Sequence, residues 1–250
     1  MATTTTVFIT GVGRGIGRAL LETYLARPNH TIIGSVRNST DSKYDHLKSL
    51  PTGHGSRLIL VSIESTSLTD PQKAVKEVEA AGVSVIDIVI SNAGYAAPSV
   101  PVEKAEIKDV VDSFSVNTVG PIVLYQAVRP LLEKSAQPKW LSISTAAASI
   151  GCLDAFNTSS VAAYGISKAA QNWFTAGVHS ANKSFIAFAI HPGLVQTEMG
   201  NAGARDLGLA EAPNTIEESV TKTIAILDKA TREETSGKFI NVIDGATIPW

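Results

Sequence analysis

Tyr164 and Lys168 stand four residues apart in the run Tyr164-Gly165-Ile166-Ser167-Lys168, so on a helix they share one face. A free phenol titrates near ~10, too high for ready proton exchange around neutrality, and an adjacent ammonium favours the phenolate and draws the group toward working pH. The pair therefore has the composition of a proton-transfer site, although a solvated Tyr/Lys pair would read the same way. Ile166, Ala169, Ala170 and Trp173 form an apolar stripe, and at roughly 100° per residue Tyr164 falls nearly opposite Ile166 and Trp173, which argues against a plain core tyrosine.

A second constellation suits a phosphate. Gly11, Gly13, Gly15 and Gly17, with Arg14 and Ile16 among them, follow an apolar run at 7–10 and open a helical stretch. Free backbone N–H groups and the positive end of the helix dipole can hold a pyrophosphate there, and the glycines let the ligand approach the backbone. A P-loop is disfavoured because no Lys-Ser/Thr follows. About twenty residues on, where a carboxylate would meet an unphosphorylated ribose, Arg37 stands instead. With Arg14 it could grip a 2'-phosphate through charge-assisted hydrogen bonds, which favours NADPH over NADH. Glu64 is a candidate for the adenine amine, and an exposed loop carboxylate explains it nearly as well. Asn92, Ala93 and Gly94 follow a predicted central strand, where ligands of open α/β sheets collect, though turn chemistry also accounts for them.

These residues need a scaffold, and the chain supplies one. Short β-branched runs at 7–10, 31–36, 58–62, 85–90, 140–144, 185–190 and 238–242 read as buried strands. Helical spacing fills 18–26, 71–81, 110–132, 161–182 and 216–230 between them. Alternation of strand and helix predicts an α/β fold, a Rossmann-type doubly wound sandwich of about seven mostly parallel strands with helices on both faces. The 250 residues fit a single domain over 1–250, with looser segments at 38–55 and 196–213, the second expected to be a mobile flap.

Composition removes several alternatives. With 44% apolar and 18% charged residues the chain can fill a core and is not disordered. Lys plus Arg number 21 against 23 acidic residues, a net charge of -2, so no basic field exists to attract nucleic acid. One cysteine, Cys152, excludes an internal disulfide and a cysteine-rich metal site, and the five histidines show no paired ligand spacing, so no metal is expected. Gly165-Ile166-Ser167-Lys168-Ala169 ends in alanine, which disfavours a serine hydrolase elbow. The start reads as a polar lead into a strand, and no run reaches the ~18 apolar residues of a membrane span, so a cytoplasmic protein away from membranes is expected.

The ordered motifs resemble the short-chain dehydrogenase/reductase family: Thr10 to Gly17 its TGxxxGxG loop, Asn92 to Gly94 its NAG motif, Tyr164 to Lys168 its YxxxK motif and Pro192-Gly193 its PG motif. Within it, residues 11–17, 21–28, 191–200 and 248–250 are similar to fungal norsolorinic-acid-ketoreductase-like and sniffer-like carbonyl reductases. The resemblance implies NADPH as cofactor, with Lys168 also reaching its ribose and Pro192, Gly193, Val195 and Thr197 gripping the nicotinamide carboxamide. Asn117 matches the family's asparagine that supports a water link to the lysine.

One position departs from the pattern, since the family's catalytic serine falls here on Thr145 of Ile143-Ser144-Thr145. Thr145 keeps a hydroxyl able to donate to a carbonyl, while Ser144 should point to the opposite side if the strand continues. The longer interval to Tyr164 implies extra substrate-loop residues at 151–160. Tyr95, Phe156 and Met199 suit a bulky, partly aromatic ligand, or plain packing. The implied activity is ketone reduction with Thr145 and Tyr164 on the carbonyl oxygen and Tyr164 as acid. A non-redox or regulatory protein on the same scaffold, such as a cyclase or dehydratase, is the alternative. Family subunits usually pair through the helices at 110–132 and 161–182, so a dimer or tetramer is expected.

Overall fold

A computed structural model describes residues 4–250; residues 1–3 of the polar lead lie outside it. Its strands are β1 Thr5–Thr10, β2 His30–Val36, β3 Arg57–Ser62, β4 Ile88–Ser91, β5 Lys139–Ile143, β6 Ile186–His191 and β7 Phe239–Asn241. The helices are α1 Gly15–Leu25, α2 Asp45–Lys48, α3 Asp70–Ala80, α4 Ile107–Phe114, α5 Gly120–Leu132, α6 Leu153–Phe156, α7 Ala162–Ala181, α8 Glu198–Asp206 and α9 Ile216–Lys229.

The strands form one sheet in the order β3-β2-β1-β4-β5-β6-β7, which is the doubly wound α/β arrangement. β1 pairs parallel with both β2 and β4, so the winding reverses at the carboxyl end of β1, where open sheets of this kind make their ligand crevice. Val7, Phe8 and Ile9 are fully buried because a parallel strand has both faces covered.

The described residues divide into two compact units. One runs to Ala93 and adds Gly120–Trp140, with α3 packed on α5; the other is Gly94–Val119 with Leu141–Trp250, in which α4 packs on α7.

Helical residues run unbroken over 107–132, so the helix expected over 110–132 is present, as α4 and α5 joined by a π-helical stretch, Ser115–Val119. Pro121, which has no N–H to give, sits in the first turn of α5. The segment 196–213, expected to be a loose flap, contains α8, whose first turn is capped by the Thr197 hydroxyl accepting from the Gly200 N–H at 3.0 Å.

Candidate active site

Strand β5 leads into Ser144 and Thr145, and helix α7 carries Tyr164 and Lys168. The helix faces the sheet with its polar side: Ser167, Lys168, Gln171, Asn172 and Thr175 are buried, whereas Ile166 is 49% and Trp173 78% exposed. This reverses the expected orientation of the apolar stripe. The physical reason is a row of matched polar groups: Ser142 Oγ meets Thr175 Oγ1 at 2.7 Å, Ser144 Oγ donates to Asn172 Oδ1 at 2.6 Å, and Lys168 Nζ donates to the Ile143 carbonyl at 2.8 Å. Buried polar groups satisfied in this way tolerate the interior.

The two hydroxyls at the end of β5 separate as strand alternation requires. Ser144, 3% exposed, is turned to α7 and engaged there. Thr145 is half-buried and caps the short 3-10 turn Ala146–Ala148, its Oγ1 accepting from the Ala147 N–H at 3.3 Å. Accepting that bond leaves the Thr145 hydroxyl proton free to donate.

Tyr164 lies in the first turn of α7. Burial pushes its phenol up to about 12, and burial pushes Lys168 down to about 7. This corrects the expected lowering of the phenol: in this structure Lys168 gives its hydrogen bonds to the Ile143 carbonyl and Gln171 Oε1, both at 2.8 Å. At neutral pH the resting tyrosine is therefore protonated, the form an acid needs.

Asn117 sits fully buried in the π-helical stretch, a feature often found at functional sites. Its Oδ1 accepts from the Tyr95 N–H at 2.8 Å, while Nδ2 donates to the Tyr95 carbonyl at 2.7 Å and to Ser167 Oγ at 2.9 Å. Ser167 Oγ in turn donates to the Tyr164 carbonyl at 2.7 Å, and Thr118 Oγ1 donates to the Ser167 carbonyl. Asn117 thus joins the loop at Tyr95 to the turn that bears Tyr164, a role local spacing does not reveal.

The same unit exposes several large apolar side chains, on α6, on α8 and in the segments before them. Tyr95, Ile150, Leu153, Phe156 and Met199 are exposed large side chains, the expected Tyr95, Phe156 and Met199 among them. Ser149 Oγ donates to the Pro249 carbonyl at 2.6 Å and the Gly151 N–H to the Trp250 carbonyl at 3.2 Å, which ties the expected substrate loop to residues 249–250. The segment after Tyr95 is tied separately: Val100 bridges Val161 at the start of α7, and Ser99 Oγ donates to Asp206 of α8 at 2.5 Å.

The glycine loop follows β1 in the other unit. Gly11 (φ +73°) and Gly15 (φ +57°) adopt the left-handed conformation, and a Cβ on Gly17 would lie 2.3 Å from the Gly11 carbonyl oxygen. That cradle, open at the start of α1, fits a pyrophosphate. Thr10, which motif reading left without a role, organises it: its Oγ1 accepts from the N–H groups of Asn92 and Ala93, both at 2.9 Å. Asn92 Nδ2 donates to the Thr10 carbonyl at 2.8 Å, so the Asn92 amide shapes the loop. Gly94 is exposed and Ile16 half-buried.

Arg14 is exposed as the residue before α1, and Arg37 is exposed just past β2. Tyr44, which sequence reading missed, lies against the glycine loop, where a Cβ on Gly13 would come within 2.8 Å of its ring. Glu64 is half-buried after β3, its N–H donating to Asp70 Oδ2 at 3.2 Å.

Pro192 and Gly193 follow β6. The Pro192 carbonyl accepts from Ser219 Oγ at 2.7 Å, and Gly193 (φ +89°) has no room for a side chain against Asn214 and Ile243. Val195 is buried and bridges Asn214, while the Thr197 hydroxyl is engaged as the α8 cap.

A parallel doubly wound sheet with a phosphate cradle after its first strand, and a Tyr/Lys pair one turn apart on a later helix, is the layout of a nicotinamide-dependent oxidoreductase. The short chain dehydrogenase model matches residues 5–207, and the chain belongs to that family. It is 46% identical over 249 residues to a short-chain dehydrogenase of Neurospora crassa, covering 98% of each chain. It is 38% identical over 248 residues to the norsolorinic acid ketoreductase of Aspergillus parasiticus, covering 98% of this chain and 91% of that one. The crystal structure of NADPH-bound carbonyl reductase from chicken fatty liver superposes with a TM-score of 0.85 at 28% identity, each chain covered fully. The protein is accordingly an oxidoreductase of carbonyl and hydroxyl groups. Among the described residues no helix is long and apolar enough to cross a membrane.

Proposed function

We propose that the protein is a cytoplasmic NADPH-dependent ketoreductase, a single cofactor-binding domain that reduces the ketone of a bulky, partly aromatic molecule to an alcohol. Support for one domain comes from the chain itself, which passes between the two compact units three times. Gly11, Gly13, Gly15, Ile16 and the N–H groups opening α1 hold the pyrophosphate, and Arg14 and Arg37 meet the 2'-phosphate as exposed cations placed before α1 and after β2. Glu64 meets the adenine, with Ala93 and Gly94 near the ribose and Pro192, Gly193, Val195 and Thr197 on the carboxamide.

When bound, the nicotinamide supplies a hydride. The chain's own residues supply the rest. Thr145 and Tyr164 donate hydrogen bonds to the carbonyl oxygen, where negative charge develops, and Tyr164 gives up its proton there. Lys168, as an ammonium, stabilises the phenolate left behind and bonds the ribose. Asn117 keeps the Tyr95 loop and the Tyr164 turn in place.

The observation that carries this reading is the half-buried Tyr164 one turn from the buried Lys168 on α7, with the Thr145 hydroxyl accepting only from the Ala147 N–H and so able to donate. The exposed apolar loops favour an extended apolar substrate, in keeping with the fungal ketoreductase relative. An exposed stripe of Ile107, Val111 and Phe114 on α4, with Ile166 and Trp173 on α7, favours a homo-oligomer. NADPH oxidation against a panel of aryl ketones and quinones tests the function: turnover supports it, and tight NADPH binding with no turnover on any carbonyl returns the protein to the non-redox class.

A further inference from the structure

Helix α7 buries a glutamine beside its lysine. Gln171 is 0% and Lys168 2% exposed, and they lie three residues apart on the sheet-facing side of the helix. Lys168 Nζ donates to Gln171 Oε1 and to the Ile143 carbonyl, each at 2.8 Å. These are two neutral acceptors for a group with three donors, so one N–H of the ammonium is left for a ligand. Gln171 itself is anchored, because its backbone carbonyl accepts from Thr175 Oγ1, which meets Ser142 Oγ on β5. The arrangement carries a cost: Gln171 Nε2 is buried without a partner. An apolar side chain would avoid that orphan, and a glutamine retained there points to a use for its oxygen.

Resting on the reading of Lys168 as the group that assists Tyr164, we propose that Gln171 is a positioning residue: it seats the Lys168 ammonium against the Ile143 carbonyl at the end of β5 while adding no countercharge. A carboxylate at this position would lock the ammonium as a fixed charge, and an apolar residue would leave Nζ with one protein acceptor. A neutral amide holds the amine in place in either protonation state. The elements packed against α7 offer few competing charges. They are Lys108, Asp109 and Asp112 on α4, Lys139 at the start of β5 and His191 at the end of β6; Tyr164 and His179 are on α7 itself, and the π-helical stretch and the 146–148 turn contain no charged residue. Burial alone depresses Lys168, with no charged neighbour contributing.

The test compares full-length wild type with Gln171→Glu and Gln171→Met, the second close to isosteric and free of the orphaned amide. Lys168 titration is followed by NMR of 15N-lysine protein, its signal assigned by loss in Lys168→Arg. The pH profile of kcat for NADPH-dependent ketone reduction is measured in parallel. Gln171→Glu should raise the Lys168 midpoint by about one unit or more, since an opposite charge at hydrogen-bond distance favours the ammonium, and Gln171→Met should lower it. The alkaline limb of kcat should move in the same two directions, which mere loosening of the core would not produce. A Lys168 midpoint unmoved in both variants overturns the seat. A moved midpoint with an unmoved limb overturns the positioning role. If wild type reduces no carbonyl while the midpoint moves as stated, the seat is supported and the reductase reading falls. Should one variant fail to fold, the other decides by the sign of its shift.

Discussion

Ser144 Oγ donates to Asn172 Oδ1 at 2.6 Å, which turns this hydroxyl into the helix-sheet interface. Its neighbour Thr145 faces the other way and keeps its proton, since Oγ1 is the acceptor for the Ala147 N–H. Two adjacent hydroxyls thus differ in their partners, and only the serine gives its proton to the helix.

Thr145→Ala should lower kcat by ~10²-fold or more while leaving NADPH affinity within a few fold, because it removes a donor aimed at developing charge. Thr145→Ser should keep most of the rate. Ser144→Ala should act chiefly on stability, leaving Asn172 Oδ1 buried without its donor at a cost of about 1–3 kcal/mol. Steady-state kinetics beside urea melts separate the two; a dead Ser144→Ala with a normal Thr145→Ala would exchange their roles.

The proposed preference for NADPH rests on the exposed cations Arg14, before α1, and Arg37, after β2. Arg37→Asp places like charge against the 2'-phosphate and should weaken NADPH binding at least tenfold while improving NADH binding. Dissociation constants from cofactor fluorescence check this. Unchanged affinities for both would remove Arg37 from the site.

Lys168 is held at about 7 by burial, against 10.5 for an ordinary lysine. Between those values the unfolded chain binds the extra proton, so unfolding free energy rises with pH across that window, and the burial cost is complete below it. From pH 6 to pH 9 wild type should therefore gain roughly 2–3 kcal/mol relative to Lys168→Met. Urea midpoints at the two pH values measure the difference, and parallel pH profiles would show that the lysine is not depressed.

Trp173 is 78% exposed on α7, which packs against α4, itself bearing the exposed Ile107, Val111 and Phe114. A charge there should disrupt self-association without unfolding the chain, so Trp173→Glu should halve the mass seen by light scattering at micromolar concentration. A wild-type monomer would reject the oligomer.

How much of this was legible in the sequence depends on how local each signal is. The glycine loop, the Tyr164/Lys168 pair and the strand-helix alternation are short-range patterns, and they lie where reading placed them. The inward face of α7 was not legible, because apolar periodicity assigns Ile166 and Trp173 to the interior, while burial is decided by hydrogen-bond partners on β5, here Ser142, the Ile143 carbonyl and Ser144. The role of Asn117 depends on Tyr95 and Ser167, tens of residues away. Helix α8 was hidden by glycines that signal a loop; a Cβ on Gly200 would fall 1.9 Å from the Val195 carbonyl oxygen, so close packing demands that glycine.

Hydride transfer to a ketone with Tyr164 as acid is best checked by following an isotope. NADPH bearing deuterium at the transferable position is incubated with an aryl ketone and wild type or Tyr164→Phe, and the product is read by mass spectrometry and NMR. Deuterium should appear on the carbinol carbon with wild type, and Tyr164→Phe should be at least ~10²-fold slower at similar NADPH affinity. Product formed equally fast by Tyr164→Phe, or no deuterated alcohol from any ketone despite tight NADPH binding, would contradict that mechanism.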